Sequence, residues 1–302
     1  MSLIVTGSIG IDSVEAPTGT AEDVLGGSSI YFAAAASFFG PVRLVGAVGD
    51  DFPDHFMETF SRFNVDTAGL ERRAGSKTFR WRGRYHENMN QRDTVDVQLN
   101  VLAEALPPVP EAFRNSRYVF LANTHPAGQL ELLDQFPDAQ LTVADTMDLW
   151  IESERETLMQ LLARIDGLVL NNDEAEQLSG ESNLIRAAEV IVAMGPRFVV
   201  VKKGEHGAMI EHTGASVVLP AWPARDVVDP TGAGDCFAGG FMGYLAAAED
   251  LSSESLRKAI AYGTITASFN IESFSLDRLT QISRGDIDNR LGEYCRMLNI
   301  GP

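Results

Sequence analysis

The 302-residue sequence is poor in basic residues, in cysteine and in long apolar runs. Its 24 lysines and arginines stand against 42 aspartates and glutamates, which gives a formal charge of −18. Such a surface repels phosphate backbones, and this excludes a general affinity for nucleic acid. No apolar run reaches the ~18–20 residues that a membrane-spanning helix requires. No positively charged segment precedes an apolar one near Met1, so a secretory signal is not expected.

The two cysteines, Cys236 and Cys295, are too few and too far apart for a disulfide framework or a Cys-x-x-Cys site. Free thiols without a secretion signal predict a cytoplasmic protein. The five histidines are scattered and show none of the paired spacings typical of a metal site. The hydrophobic fraction of 45% is ordinary for a globular protein, and it excludes disorder over most of the chain.

Apolar runs of strand length alternate with longer helical patterns along most of the chain. The strand-length runs cover residues 3–9, 42–48, 117–121, 141–144, 167–170 and 198–201, and helical patterns cover 27–39, 53–63, 129–135, 151–164 and 182–194. This alternation predicts an α/β fold with a mostly parallel sheet covered by helices on both faces. Such sheets bind ligands at the carboxyl ends of their strands. No linker or internal repeat divides the chain, so one domain over residues 1–302 is expected.

One segment, residues 78–86, alternates with a period of two, which is typical of an exposed strand. Its two faces are Phe79, Trp81, Gly83 and Tyr85 on one side and Arg80, Arg82, Arg84 and His86 on the other. In one interpretation the aromatic face packs on the body of the protein. In the other, the segment belongs to a small β-lid that closes over a substrate or clasps a partner subunit. Lid strands are then expected within about 10–25 and 76–99.

The residues with the clearest chemistry run from Asp229 through Pro-Thr-Gly-Ala-Gly to Asp235. The glycines allow the backbone to approach a ligand, and a helix is predicted to begin near Gly234. The unpaired first amides of such a helix and its dipole form an anion site. Asp235 at that site suits a general base that deprotonates a hydroxyl group during phosphoryl transfer. The alternative is a helix cap, which does not explain the glycines on both sides of the acid.

This segment resembles the carboxyl-terminal signature of the phosphofructokinase B (PfkB) or ribokinase-like sugar and nucleoside kinases. Further matches, in the family's order, are Gly26-Gly27 before an Ala-rich helix, Gly46-Ala-Val-Gly-Asp-Asp51, Asn171-Asn-Asp-Glu174 and Lys202-Lys-Gly204-Glu-His-Gly207. The resemblance implies a ribokinase-like three-layer α/β/α fold with a small β-lid. It implies transfer of the γ-phosphoryl group of ATP to a hydroxymethyl group of a sugar or nucleoside, with Mg²⁺.

The same resemblance implies roles for individual residues. For catalysis these are Asp235 as the base and Gly232, Ala233 and Gly234 as the anion hole; for the nucleotide, Lys202, Gly204, Gly207 and Thr231; for the acceptor, Asp12, Gly26 and Gly27. Asn171 and Glu174 are matched to magnesium through water, and the Asp229 loop to a monovalent cation such as K⁺. Taken alone, Asp12 could be a turn acid, and Asn171 with Glu174 could simply cap a helix.

The acceptor is left open by the sequence. Ribokinase proper has a lysine and an asparagine where this chain has Ser28 and Tyr31. Tyr31 and the aromatic face of 79–85 predict a surface on which a nucleobase stacks, so a nucleoside is weighted at least as heavily as a free sugar. The arginine face would then point to solvent or to acidic surface on a partner subunit, in a homodimer formed through the lid. A non-catalytic nucleotide- or metabolite-binding protein is the alternative function, but it would not need Asp235.

Overall fold

The computed structural model describes residues 2–212 and 214–298. The strands are β1 (Leu3–Thr6), β2 (Gly10–Ala16), β3 (Gly19–Gly26), β4 (Val42–Gly49), β5 (Val65–Arg73), β6 (Phe79–Tyr85), β7 (Arg92–Gln98), β8 (Tyr118–Leu121), β9 (Leu141–Asp145), β10 (Gly167–Asn171), β11 (Phe198–Lys202), β12 (Ala208–His212) and β13 (Ala215–Leu219). The helices are α1 (Ser28–Ser37), α2 (His55–Arg62), α3 (Pro126–Leu133), α4 (Asp148–Ser153), α5 (Arg155–Leu162), α6 (Asn172–Ser179), α7 (Leu184–Ala193), α8 (Ala233–Ala248), α9 (Ser253–Asn270) and α10 (Arg284–Met297).

Nine strands form one large sheet in the order β13-β12-β11-β10-β9-β8-β1-β4-β5. The seven strands from β11 to β5 run parallel, and only β12 and β13 at one edge are antiparallel to their neighbours. This confirms the predicted α/β class with a mostly parallel sheet. Parallel strands are buried on both faces, which explains why their sequences read as continuous apolar runs rather than as alternating patterns.

Helices cover both faces of the large sheet. In β1, Leu3 and Val5 belong to one hydrophobic core together with α1, α8 and α9, whereas Ile4 between them belongs to a second core with α3, α5, α6 and α7. Successive side chains of a strand point to opposite faces, so this division places one helical layer on each side. None of the helices in residues 2–212 and 214–298 is both long and apolar enough to cross a membrane.

The remaining strands form a second sheet in the order β3-β2-β6-β7, which we call the lid. Strand β2 follows β1 in the chain, and β6 and β7 lie between β5 and β8. The end of β6 contacts the loop before α8, because Tyr85 Oη lies 3.2 Å from Thr231 Oγ1. The lid thus reaches the loop that precedes α8.

The arginine face of β6 lies partly in solvent, and its charges are paired within the chain: Arg84 is 56% exposed and Arg82 39%. Each arginine pairs with carboxylates of its own chain: Arg80 with Asp23 and Asp51, Arg82 with Glu15 and Glu22, and Arg84 with Glu15. The exposure agrees with the predicted solvent-facing side, the carboxylates that these arginines meet belong to the same chain, and contact with a partner subunit stays a prediction. The acidic partners come mainly from β2 and β3, and a sequence does not show which strands become neighbours in a sheet.

Candidate active site

The predicted site residues gather where strands of the large sheet end and α8 begins. Asn171 and Lys202 are the last residues of β10 and β11, and the strand pairing sets them side by side. Asp235 lies in the first turn of α8. The carboxyl ends of parallel strands lie at the same edge of their sheet, so residues that are far apart in the chain meet there.

Helix α8 begins at a turn that requires glycine. Gly232 has φ 76°, in the left-handed region, and the helix follows from Ala233. A side chain on Gly232 would also overlap the ring of Tyr31. The first amides of the helix lack partners within it, and the helix dipole favours a negative charge beside them. The N–H of Ala233 already donates to the Pro230 carbonyl at 3.1 Å, so the amides of Gly232 and Gly234 are the ones left to form an anion hole.

Tyr31 lies beneath this turn and offers no surface for stacking. Its side chain is 2% exposed, and its ring packs against Gly232. The predicted stacking of a nucleobase on Tyr31 is therefore wrong, because the ring is enclosed by protein. Burial raises the pKa of its hydroxyl well above the ordinary value, and Asp12 and Asp229 add to the rise. That hydroxyl has no hydrogen-bond partner in the described chain, so a contact with the substrate through Oη stays a prediction.

Lys202 balances a cluster of carboxylates at the start of α8. Its Nζ lies 2.8 Å from the point where a Cβ on Gly234 would stand. Burial raises the pKa of Asp235 to about 6, and the Lys202 ammonium group opposes that rise. Burial likewise raises the pKa of Glu174, again against the effect of Lys202. The structure thus brings the lysine predicted for the nucleotide to the predicted anion hole.

Asp12 on β2 is held in a space that two glycines leave for it. A side chain on Gly26 would overlap the carboxylate, and the nearby backbone of Gly27 opposes the rise in the pKa of Asp12. Asp12 is 3% exposed, and its Oδ1 has no partner among the described residues. Burial raises the pKa of Asp12 to about 7. Buried acceptors are nearly always hydrogen-bonded, so this oxygen is suited to a ligand hydroxyl.

Asn171 and Glu174 cap helix α6. Asn171 Oδ1 accepts the N–H of Glu174 at 2.8 Å, and Glu174 Oε2 accepts the N–H of Asn171 at 2.7 Å. The helix-cap interpretation is therefore correct as a description of the geometry. It uses one carboxylate oxygen of Glu174 and leaves the other for a ligand or water. Within residues 2–212 and 214–298, no group of three Asp, Glu, His or Cys side chains is arranged to hold a metal ion directly.

Gly204 and Gly207 lie in the turn that follows Lys202 on β11. Both have positive φ, at 52° and 91°, which favours glycine at these points. The lid reaches this turn as well, because Asn90 Nδ2 in the β6–β7 connection donates to Glu205 Oε1 at 3.2 Å. The contact of the two glycines with a nucleotide stays a prediction.

Asp229 and Thr231 form a buried loop just before α8. Asp229 Oδ1 accepts the N–H of Thr231 at 2.8 Å, and Asn270 Nδ2 from α9 donates to the Thr231 carbonyl at 2.8 Å. Asp229 is 1% exposed, and its Oδ2 has no partner among the described residues. The loop is thus fixed by neighbours on both sides and still holds one unsatisfied carboxylate oxygen.

Two further charged residues lie at this site without having been assigned a role from the sequence. Asp145 ends β9, is 5% exposed and has an unpartnered Oδ1. Burial raises the pKa of Asp145 well above its usual range, and Asp235 adds to that rise. Its position as the last residue of a buried strand is the signal that could have identified it. Arg92 opens β7, where the sequence shows no comparable signal, and its charge acts on Asp12 and Asp235.

Comparison with known proteins places this geometry in a family. The pfkB family carbohydrate kinase model matches residues 12–281. A cytidine kinase from Thermococcus kodakarensis is 30% identical over 251 residues, which cover 80% of this chain and 87% of that protein. A nucleoside kinase from Methanocaldococcus jannaschii shares the fold with a TM-score of 0.77 and 21% identity, over 97% of this chain and 99% of that chain. A protein described as ribokinase II from E. coli, solved with ATP and Mg²⁺, has a TM-score of 0.78 and 17% identity, over 97% and 100% of the two chains.

The matched residues include every site residue described above, from Asp12 onward, and the fold agrees over nearly the whole chain. The chain therefore belongs to the pfkB family of carbohydrate kinases, has the ribokinase fold and is a sugar or nucleoside kinase.

Proposed function

We propose that the protein transfers the γ-phosphoryl group of ATP to the hydroxymethyl group of a nucleoside. The observation that carries the proposal is the juxtaposition of Asp235, the glycine turn that begins α8 and the ammonium group of Lys202. The base and the anion site lie in the first turn of α8, and the cation on β11 lies beside them. These are the parts that phosphoryl transfer requires of a protein.

In the proposed reaction, the Asp235 carboxylate removes the proton from the acceptor hydroxyl. The acceptor oxygen forms a bond to the γ-phosphorus, the bond from that phosphorus to the bridging oxygen of ATP breaks, and ADP leaves with the electron pair. The amides of Gly232 and Gly234 stabilise the charge on the transferring group, and Ala233, whose N–H donates to the Pro230 carbonyl, holds the turn between them. Since burial raises the pKa of Asp235 to about 6, the residue is ionised at neutral pH and still basic enough to accept a proton.

The acceptor is held in this proposal by Asp12 at the lid side of the cleft. The unpartnered Oδ1 of Asp12 accepts from a substrate hydroxyl, and the backbone of Gly26 and Gly27 lies against the same group. Tyr31 Oη is a further candidate contact, because it too is buried without a partner. Buried polar groups that lack partners bind hydroxyl-bearing ligands selectively, since any other occupant leaves them unsatisfied.

The residues at the strand ends fit a nucleotide with magnesium. Asp145 has a buried oxygen without a partner, and carboxylates and water are the ligands that Mg²⁺ prefers. We assign Asn171 and Glu174 to the waters around the ion; when bound, magnesium neutralises charge on the phosphates. The proposed nucleotide contacts are Lys202, Gly204, Gly207 and Thr231.

A monovalent cation such as K⁺ is proposed for the Asp229 loop. Asp229 Oδ2 is buried without a partner, and burial raises the pKa of this carboxyl. A cation beside it would compensate the buried charge. The Thr231 carbonyl of the same loop already accepts a hydrogen bond from Asn270, which leaves it less able to bind the cation.

A nucleoside is favoured over a free sugar by the cytidine kinase, which this chain resembles over most of both lengths. The lid still offers the indole of Trp81, which is half-buried, for contact with a base. The lid's outer strand exposes Val95 and Val97 by 46% and 45%, and this edge is the proposed surface for a homodimer.

The test is an acceptor panel with ATP and Mg²⁺. Cytidine, uridine, adenosine, inosine, ribose and fructose are each incubated with the protein, ADP is measured, and the product is identified by ³¹P NMR. We expect acceptor-dependent ADP with a nucleoside and a 5′-monophosphate as the product. A simple sugar as the best substrate would contradict the nucleoside assignment, and no turnover with any acceptor together with tight ATP binding would support a non-catalytic binding protein.

A further inference from the structure

Most arginines of the lid have their charges neutralised within the lid. The shortest contacts are those of Arg80 with Asp23 at 2.7 Å, Arg82 with Glu22 at 2.6 Å and Arg84 with Glu15 at 2.8 Å. These partners lie on β2 and β3. Exposed pairs of this kind orient their strands but leave little net charge for a ligand.

Arg92, the first residue of β7, is different. Among the described residues it has no carboxylate within ion-pair distance, and its guanidinium carbon lies 5.4 Å from the centre of the Trp81 ring. The β6–β7 pairing sets Arg92 opposite Tyr85, and its positive charge opposes the rise in the pKa of Tyr85 that burial causes. Tyr85 Oη in turn lies 3.2 Å from Thr231 Oγ1 in the loop before α8. Arg92 is therefore anchored at the end of the lid that meets the catalytic loop.

The charge of Arg92 also acts on the middle of the cleft. Burial raises the pKa of Asp235, and after Lys202 the guanidinium of Arg92 is the next largest influence against that rise. Arg92 has the same effect on Asp12 and on Glu174, where burial is again the main cause of the raised pKa. These carboxylates come from α8, β2 and α6, so one cation of the lid is shared among three elements.

We propose that Arg92 contacts the phosphoryl group as it passes from ATP to the acceptor, which makes it a catalytic residue supplied by the lid. The inference rests on the proposed function. In phosphoryl transfer, negative charge spreads over the equatorial oxygens of the transferring group. A guanidinium group matches such oxygens with its planar fork and keeps its charge at every pH of interest. Lys202 supplies a cation beside α8, and Arg92 supplies a second one from the covering sheet.

The first test compares Arg92→Gln and Arg92→Lys with a matched control. Arg84→Gln removes a guanidinium from the same lid, but from a residue that is paired with Glu15. We expect Arg92→Gln to lower kcat by at least ~10²-fold while the KM for the nucleoside changes by less than about threefold. Arg92→Lys should recover part of kcat, because the point charge remains but the fork is lost. Arg84→Gln should stay close to wild type.

The second test separates contact with the phosphoryl group from support of the lid. ADP with aluminium fluoride and the nucleoside mimics the transferring group, and its binding is compared with that of ADP alone. We expect Arg92→Gln to weaken the first by at least ~10-fold and to leave the second unchanged. Equal loss in both, or a rise in the nucleoside KM with kcat unchanged, would overturn the proposal, as would an Arg92→Gln enzyme that behaves like Arg84→Gln.

The two proposals fail in distinguishable ways. A wild-type protein that is inactive with every acceptor overturns the proposed function and the role of Arg92 with it. An active wild type whose Arg92 variants retain kcat overturns only the role of Arg92.

Discussion

At the scale of single residues, Asp235 is both buried and close to a cation, and a free aspartate is neither. Burial raises the pKa of Asp235 to about 6, and the nearby cation of Lys202 keeps the ionised form accessible. The result is a carboxylate whose basicity lies near neutral pH, where a general base works best. Its value therefore depends on neighbours from β11, α6 and the lid, and a sequence motif alone does not contain them.

We expect Asp235→Asn to lower kcat by ~10²–10⁴-fold while ATP binding stays nearly intact. The amide has almost the same size as the carboxylate but cannot accept the proton. Glu254→Gln is the control, because it makes the same exchange in the first turn of α9. Steady-state kinetics and ATP titration give the measurement. If Asp235→Asn keeps more than about a tenth of the wild-type kcat, the assignment of the base is wrong.

Glu174→Ala should raise the magnesium concentration needed for half-maximal activity and lower kcat, because waters around the ion lose an acceptor. The substitution also removes the cap of α6, so stability has to be separated from function. Asp286→Ala is the matched control: Asp286 forms the same kind of capping box with Ser283 at the start of α10. A magnesium titration is the measurement. The same titration curve for both variants would reduce Asn171 and Glu174 to a helix cap.

At the scale of elements, the start of α8 needs a glycine for two reasons: the backbone conformation there and the lack of room for a side chain. Gly232 has φ 76° and lies against the Tyr31 ring, so any side chain there is both strained and overlapped. Gly180, which ends α6, has φ 77° but has no atom near the position of a Cβ. The two residues therefore differ in packing but share the same backbone strain.

Gly232→Ala should cost more stability than Gly180→Ala and should also lower kcat. Backbone strain of about 1–3 kcal/mol is common to both variants, and the overlap with Tyr31 adds about 1–3 kcal/mol in Gly232→Ala alone. The overlap also displaces the amides of the anion hole, so we expect a fall in kcat of at least ~10-fold. Denaturant unfolding and kinetics are the measurements. Equal losses of stability in the two variants would show that the turn relaxes around the added methyl group.

Several elements agree with expectation, and the differences have local causes. The helical pattern at 151–164 is divided into α4 and α5 at Glu154, whose backbone leaves the helical region and whose Oε2 accepts from Thr157 Oγ1 at 3.3 Å. The strands β5, β12 and β13 are absent from the expected set, and β5 and β13 are the two edges of the large sheet. Edge strands have one open side, so their sequences need less continuous apolar character than those of the central strands.

At the scale of the whole molecule, the charge balance of the cleft sets a pH dependence for the protein without ligands. Five buried or half-buried carboxyls of the site have raised pKa values, namely Asp12, Asp145, Glu174, Asp229 and Asp235. The folded state then binds protons that the unfolded chain releases. The stabilisation from this proton uptake is fully present below the pKa of an aspartate in the unfolded chain, 3.8. It is lost as the pH rises through the folded-state pKa values of about 6 for Asp235 and about 7 for Asp12.

We therefore expect the Tm of the ligand-free protein to fall between pH 5 and about pH 8. The groups whose pKa is lowered, such as Asp51 and Asp250, change protonation at more acidic pH and do not contribute in this window. Asp12→Asn should flatten the slope, because the amide carries no titrating proton. Thermal unfolding across this range is the measurement. A Tm that is constant or rises, or a slope that is unchanged in Asp12→Asn, would contradict the prediction.

The order of apolar runs was enough to indicate a parallel α/β fold, because buried parallel strands require continuous apolar residues wherever they occur. The glycine-rich run ending at Asp235 was enough to indicate an anion site with a base, because backbone conformation and helix polarity are local properties. Tertiary structure alone decided that Tyr31 is enclosed, that the arginines of β6 pair with β2 and β3, and that Lys202 lies over Gly234. These outcomes depend on which strands become neighbours, and contacts between distant parts of the chain leave no pattern within either part.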